Sequence, residues 1–132
     1  MRVACRNGGD VVFAIDASGS IGFDNFQRMT QFVGMVIQTL DIDSSTDGPT
    51  ISRVGLVTYS DNAVLQFNLN RYRTKAALMQ AVNVPYLTGS SNTAHAIRSV
   101  MWHKRSRILP CLHYNVVLKL LQIIYTVWRL AF

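Results

Sequence analysis

An α/β fold is predicted for this 132-residue chain by three features of its sequence. The run Val11-Val12-Phe13-Ala14-Ile15 is short, continuous and rich in β-branched residues, the pattern of a strand buried on both faces of a parallel sheet. Directly after it, Phe26, Met29, Phe32, Val33, Val36, Ile37 and Leu40 recur with helical spacing on one face. Strand and helix patterns then alternate, which argues against an all-α bundle or a β-sandwich.

The first strand ends at Asp16 and enters a small-residue turn, Ala17 to Gly22, where Gly19 and Gly22 let the backbone bend sharply. Asp24 is the expected N-cap of the helix that follows. A loop of Ser, Thr, Asp, Gly and Pro from Asp41 to Thr50 closes it. Ile51 to Tyr59 and Ala63 to Phe67 read as a hairpin joined by Ser60-Asp61-Asn62. Thr74 is expected to cap a short helix over Lys75 to Val82. A polar turn, Thr88 to Thr93, leads into a further helix through Ala96, Ile97 and Val100.

Near Met101 the chain changes character. Lys104, Arg105 and Arg107 read as a solvated basic turn, and Pro110 interrupts the pattern. From Tyr114 to Phe132, polar residues at 115, 119, 122, 126 and 129 form one stripe at helical spacing. A helix packed on the remaining core is therefore expected, with a strand pair as the alternative. Only nine uncharged residues separate Lys119 from Arg129, about half of what a bilayer core needs, so no transmembrane span is expected. The organisation anticipated is a domain over 9–100 and a divergent tail over 101–132.

Charge is divided as sharply as pattern. Residues 1–61 carry all seven aspartates against four arginines, and residues 62–132 carry nine bases and no acid, with glutamate absent throughout. Such a split suits a nucleic-acid or membrane-facing half, or a second part of different origin; the latter is preferred, and no nucleic-acid partner is expected. The Walker, dinucleotide-fold and Gly-x-Ser-x-Gly patterns are absent. His95, His103 and His113 lack metal-ligand spacing, and His95 is expected to be a solvated helix-surface residue. Cys5 and Cys111 are compatible with one long-range disulfide or with two thiols. Met1 to Asp10 shows no apolar run of a signal peptide.

The chemistry concentrates in Asp16-Ala17-Ser18-Gly19-Ser20. A carboxylate at the tip of a buried strand, followed by two hydroxyls at alternate positions, directs three oxygens into one space. In open α/β sheets this tip is where ligands bind. Oxygen-only donors suit a hard cation such as Mg²⁺. An ordinary strand-to-helix turn, with hydroxyls bonding backbone amides, would carry the same short pattern.

The wider sequence resembles the von Willebrand factor A-type domain of the extracellular-matrix kind found in matrilins and non-fibrillar collagens. The matching segments are Asp10 to Gly22 with Phe26, Arg53 to Ser60, Phe67 to Asn70 and Tyr86 to Thr93. The resemblance implies a doubly wound, Rossmann-like sheet, here incomplete, with a metal-ion-dependent adhesion site at its top. It implies Ser18 and Ser20 as direct Mg²⁺ ligands, Asp16 acting mainly through water and hydrogen bonds, and Ser91 at a position usually held by threonine. The partner implied is a protein, such as a matrix protein or collagen, whose carboxylate completes the coordination; the location implied is extracellular, and no enzymatic activity is implied. In extracellular relatives a cysteine placed like Cys5 often pairs near the domain's end, whereas Cys111 lies in the divergent tail.

The pattern departs from the family at its end, because no Asp or Glu follows Asp61 to serve as the later aspartate ligand. Loss of that charge weakens a divalent site. The first strand is then expected to lie beside an unfilled sheet position, and the tail to be a replacement produced by truncation or alternative splicing. Two other functions remain open at this point: a structural fragment with no working metal site, and, more remotely, a serine hydrolase using Ser18 or Ser20.

Overall fold

The computed structural model describes residues 10–42, 52–104 and 116–119, the backbone alone beyond residue 100. The element order is β1 (Asp10–Asp16), α1 (Phe23–Thr39), β2 (Arg53–Tyr59), β3 (Ala63–Phe67), α2 (Lys75–Ala81), α3 (Thr93–Lys104) and β4 (Val116–Lys119). Among the described residues these strands form a four-stranded sheet in the order β3-β2-β1-β4. β1 pairs in parallel with β2 and β4, whereas β2 and β3 form the expected antiparallel hairpin with an irregularity between Leu56 and Val57.

Alternation along β1 assigns its side chains to two layers, because successive residues of a strand point to opposite faces. Phe13 and Ile15 join Phe26, Met29, Val33 and Ile37 of α1 and Leu78 of α2 in one core cluster. Val12 and Ala14 join Val57, Tyr59, Ala96 and Val100 in the other, under α3. Helices thus cover both faces, and this is why β1 is apolar throughout its interior, Val11 to Ile15, rather than at every second position. Each buried Phe, Ile or Val contributes about 1.5–3 kcal/mol through loss of apolar surface to water.

Polar contacts fix the ends of the layers. Arg53 clamps Asp10, its register partner across β1 and β2, with Nε donating to Oδ1 at 2.7 Å and Nη2 to Oδ2 at 2.5 Å. The hydrogen bond to Asp10 raises the Arg53 pKa. Thr74 caps α2 as expected, its hydroxyl accepting from the Ala77 amide at 3.3 Å. α1 starts differently from expectation. Gly22, at φ 80°, is the N-cap, and Asp24 lies in the first turn, where its charge favours the helix dipole without a side-chain capping bond.

Two expectations for the C-terminal region are corrected. Val116–Lys119 is a strand and not part of a helix: Val11 pairs with Val116 and Ala14 with Lys119. A four-residue segment opening on two β-branched valines, beside the unsatisfied hydrogen-bonding edge of a buried strand, gains a ladder there, and this outweighs the helical spacing of the polar residues around it. β4 therefore fills the sheet position expected to be open beside β1. α3 runs to Lys104, so Lys104, expected in the basic turn, is instead the last residue of a helix. Ile51, Cys5, Cys111, His113, Arg105, Arg107 and the stretches 114–115 and 120–132 lie outside the described residues. No helix among the described residues is long and apolar enough to cross a membrane.

With β2 on one side of β1 and β4 on the other, the strand order reverses at β1. Asp16, at its carboxyl end, thus stands at the topological switch point, where a crevice opens between diverging connections.

Candidate metal centre

Three loops meet above Asp16: 17–22 after β1, 60–62 between β2 and β3, and 85–92 before α3. Asp16 is 2% exposed and uses both carboxylate oxygens. Oδ1 accepts from the Ser18 amide at 2.8 Å, and Oδ2 accepts from the Ser91 hydroxyl at 2.7 Å. The Ser18 and Ser20 hydroxyls lie 3.2 Å apart in a hydrogen bond. The four residues singled out in the sequence are therefore drawn together by bonds among themselves. Asp16 and Ser18 form a buried floor, and Ser20 and Ser91 an exposed rim.

The loops are docked by further bonds. The Gly19 amide donates to the Gly89 carbonyl at 2.9 Å, and the Tyr86 hydroxyl donates to the Ser18 carbonyl at 2.9 Å. Tyr86 is held by Phe26, with ring centroids 5.2 Å apart, so the bond rests on a core side chain of α1. The Ala17 amide donates to the Tyr59 carbonyl at 2.7 Å and continues the β1–β2 ladder into the turn.

The hydroxyl of Tyr59, the register partner of Asp16, is buried with no well-formed hydrogen bond among the described residues. Burial pushes its pKa up to about 12, the Asp16 charge adds to the rise, and Thr93 beside it acts in the opposite direction. A neutral phenol is the form this environment favours.

The donor set is one carboxylate and three hydroxyls, all hard oxygen ligands, in a pattern suited to Mg²⁺ or a similar divalent ion that retains several waters. At metal–oxygen distances of about 2.0–2.1 Å, neighbouring octahedral ligands lie roughly 2.9 Å apart, close to the Ser18–Ser20 separation. On both counts the residues fit a small hard cation. Among the described residues there is no group of three or more His, Cys, Asp or Glu side chains that could hold a metal ion.

Sequence reasoning missed part of the arrangement. Asp61 is more than a turn residue: its Oδ1 accepts from the Ser90 amide at 2.9 Å and its carbonyl from Asn92 Nδ2 at 3.2 Å. Tyr86 stands in the sequence only as part of the Tyr86 to Thr93 segment, with nothing to signal its bond to the first loop. His95 is more than a solvated helix-surface residue: its Nδ1 accepts from the Ala63 amide at 3.0 Å and ties α3 to the start of β3. Local spacing carries no signal for these contacts, which join positions 29 to 68 residues apart.

The chain is 37% identical over 92 residues to the mouse collagen alpha-4(VI) chain, covering 69% of this chain and 4% of the collagen. It is 34% identical over 100 residues to mouse matrilin-1, covering 71% of this chain and 19% of the matrilin. It thus spans only a small part of the relatives it matches. A structure of proximal thread matrix protein 1 from the mussel byssus, with zinc occupying its MIDAS motif, superposes with a TM-score of 0.66 at 27% identity, covering 81% of this chain and 27% of that one. Residues 10–108 match the family model of the von Willebrand factor type A domain, and the chain belongs to that family.

Proposed function

We propose that the chain is a non-enzymatic, extracellular adhesion module that binds a protein ligand through a divalent ion, Mg²⁺ in the first instance, held by Ser18, Ser20 and Ser91 over Asp16. The observation that carries this reading is the convergence of these side chains from two loops at the end of the central strand. The ion would supply a positive centre for a carboxylate of the partner. The chain's own residues do the remainder. Asp16 orients the first loop through the Ser18 amide and the second through the Ser91 hydroxyl. Its buried position would place negative charge beside the cation these residues would hold. The exposed rim at Ser20 and Ser91 leaves the outer side of the site open to a partner.

Kinship to collagen and matrilin chains supports a matrix protein or collagen as that partner and an extracellular location. The Ser18 and Ser20 hydroxyls bond to each other rather than to an imidazole, and His95 Nδ1 is engaged by a backbone amide, an arrangement unlike an activated nucleophile. A second reading, a structural module that holds no metal, is favoured by one observation: no Asp or Glu follows Asp61 in the sequence, so the later carboxylate of a full ligand set has no source within it.

Isothermal titration with Mg²⁺ and Mn²⁺ separates the two. Saturable heat with the wild type, lost in Ser18→Ala, supports the metal-dependent module. Absence of heat in both proteins favours the structural one.

A further inference from the structure

We propose that Asp61 is the positioning residue of the second loop: its carboxylate sets the shape of Thr88 to Asn92 so that Ser91 meets Asp16, without touching the ion itself. This deepens the metal-site reading and rests on it for the role of Ser91.

The second loop needs an external support. Thr88 and Gly89 both have positive φ, 54° and 98°, and a β-branched residue disfavours that region. Burial does not supply the support, because residues 88–92 are exposed throughout. It comes instead from the turn between β2 and β3. Asp61 Oδ1 accepts from the Ser90 amide at 2.9 Å, the Asp61 carbonyl accepts from Asn92 Nδ2 at 3.2 Å, and the Ser60 carbonyl accepts from the Asn92 amide at 2.8 Å. The residues on either side of Ser91 are thereby both anchored, which fixes the direction of the serine between them.

The Asp61 carboxylate also occupies the space that a Cβ on Gly89 would need, so the carboxylate and glycine fit as a pair. The Gly89 carbonyl carries this placement to the first loop by accepting from the Gly19 amide at 2.9 Å. An aspartate serving only its own turn would bond an amide two residues on. Asp61 bonds the amide 29 residues on, and a charged acceptor makes that bond stronger than a neutral one would.

The test uses Asp61→Ala and Asp61→Asn in the full chain, with Ser91→Ala and the double variant. In metal-free protein, amide hydrogen exchange at Gly19 and Asn92, which the Asp61 side chain does not contact directly through their N–H groups, is expected to quicken about tenfold or more in Asp61→Ala. Val12 and Leu56 report the intact sheet and should not change. Asp61→Asn keeps an oxygen acceptor and is expected to restore most of the protection. For Mn²⁺ binding, Asp61→Ala is expected to raise Kd about tenfold in the wild-type background and to leave it unchanged in Ser91→Ala.

Unchanged exchange at Gly19 and Asn92 in Asp61→Ala overturns the proposal. So does an equal loss of Mn²⁺ affinity with and without the Ser91 hydroxyl. If the wild type gives no heat with Mn²⁺, the metal reading fails by itself, and the exchange data still decide whether Asp61 shapes the loop.

Discussion

The Ser91 hydroxyl donates a 2.7 Å hydrogen bond to Asp16 Oδ2 and so joins two loops separated by 75 residues at the end of the central strand. Because the acceptor is a buried carboxylate and the donor an exposed serine, this bond closes the site from one side. Its loss in Ser91→Ala is expected to cost about 1.5–3 kcal/mol of stability, the range for a hydrogen bond to a charged group. Ser91→Thr keeps the hydroxyl and restricts its χ1, so divalent affinity is expected to rise a few-fold, about 0.5–1 kcal/mol. Urea unfolding checks the first expectation and isothermal titration with Mg²⁺ the second.

The Arg53–Asp10 clamp pins the entrance of the β1–β2 pair with two parallel bonds. Both side chains are about one-third exposed, 34% and 32%, so the pair is screened and only partly desolvated. Arg53→Leu is expected to destabilise the fold by about 1 kcal/mol, with the deficit shrinking as salt rises. A Tm that falls equally at low and high salt would attribute the loss to packing of the arginine stem.

Tyr59 makes the alkaline limb of stability informative. Its pKa in the fold, raised to about 12, stands above the ordinary value of 10.0. Between those values the folded protein binds the proton more tightly than the unfolded chain does. The stabilisation is therefore complete below pH 10 and declines as pH rises toward 12, at no more than about 1.4 kcal/mol per pH unit for one proton. Tyrosinate absorbance should show one residue titrating late in the folded protein, and Tyr59→Phe should remove that component.

β4 is tested through its backbone. Proline at position 117 lacks an amide hydrogen and fixes φ, and the residue it replaces pairs with Val12. Val117→Pro is expected to lower stability by about 2–3 kcal/mol, read from urea unfolding. An unchanged midpoint would mean that this pairing contributes nothing to the fold.

His95 offers a smaller test of the joint between α3 and β3. In His95→Ala the Ala63 amide loses its acceptor, and a cost of about 1 kcal/mol is expected, with faster amide exchange at Ala63 itself.

Taken by itself, the sequence determined what depends on neighbours in the chain. The apolar run 11–15 announces a doubly covered strand, Thr74 announces its helix, and Asp16, Ser18 and Ser20 are held together within a segment of five residues. The family pattern extended this to Ser91, which no local rule would bring to Asp16. Tertiary structure alone decided the rest. Whether 116–119 became helix or strand depended on the open hydrogen-bonding edge of β1, which outweighed helical spacing. The N-cap of α1 went to Gly22 rather than Asp24 because the loop enters the helix at a positive φ. Asp61, Tyr86 and His95 acquired their roles only when loops 29 to 68 residues apart were packed together. The physical reason is the same in each instance. Spacing along the chain encodes periodicity and turns, whereas hydrogen bonds between distant loops arise only once a common core has set their positions.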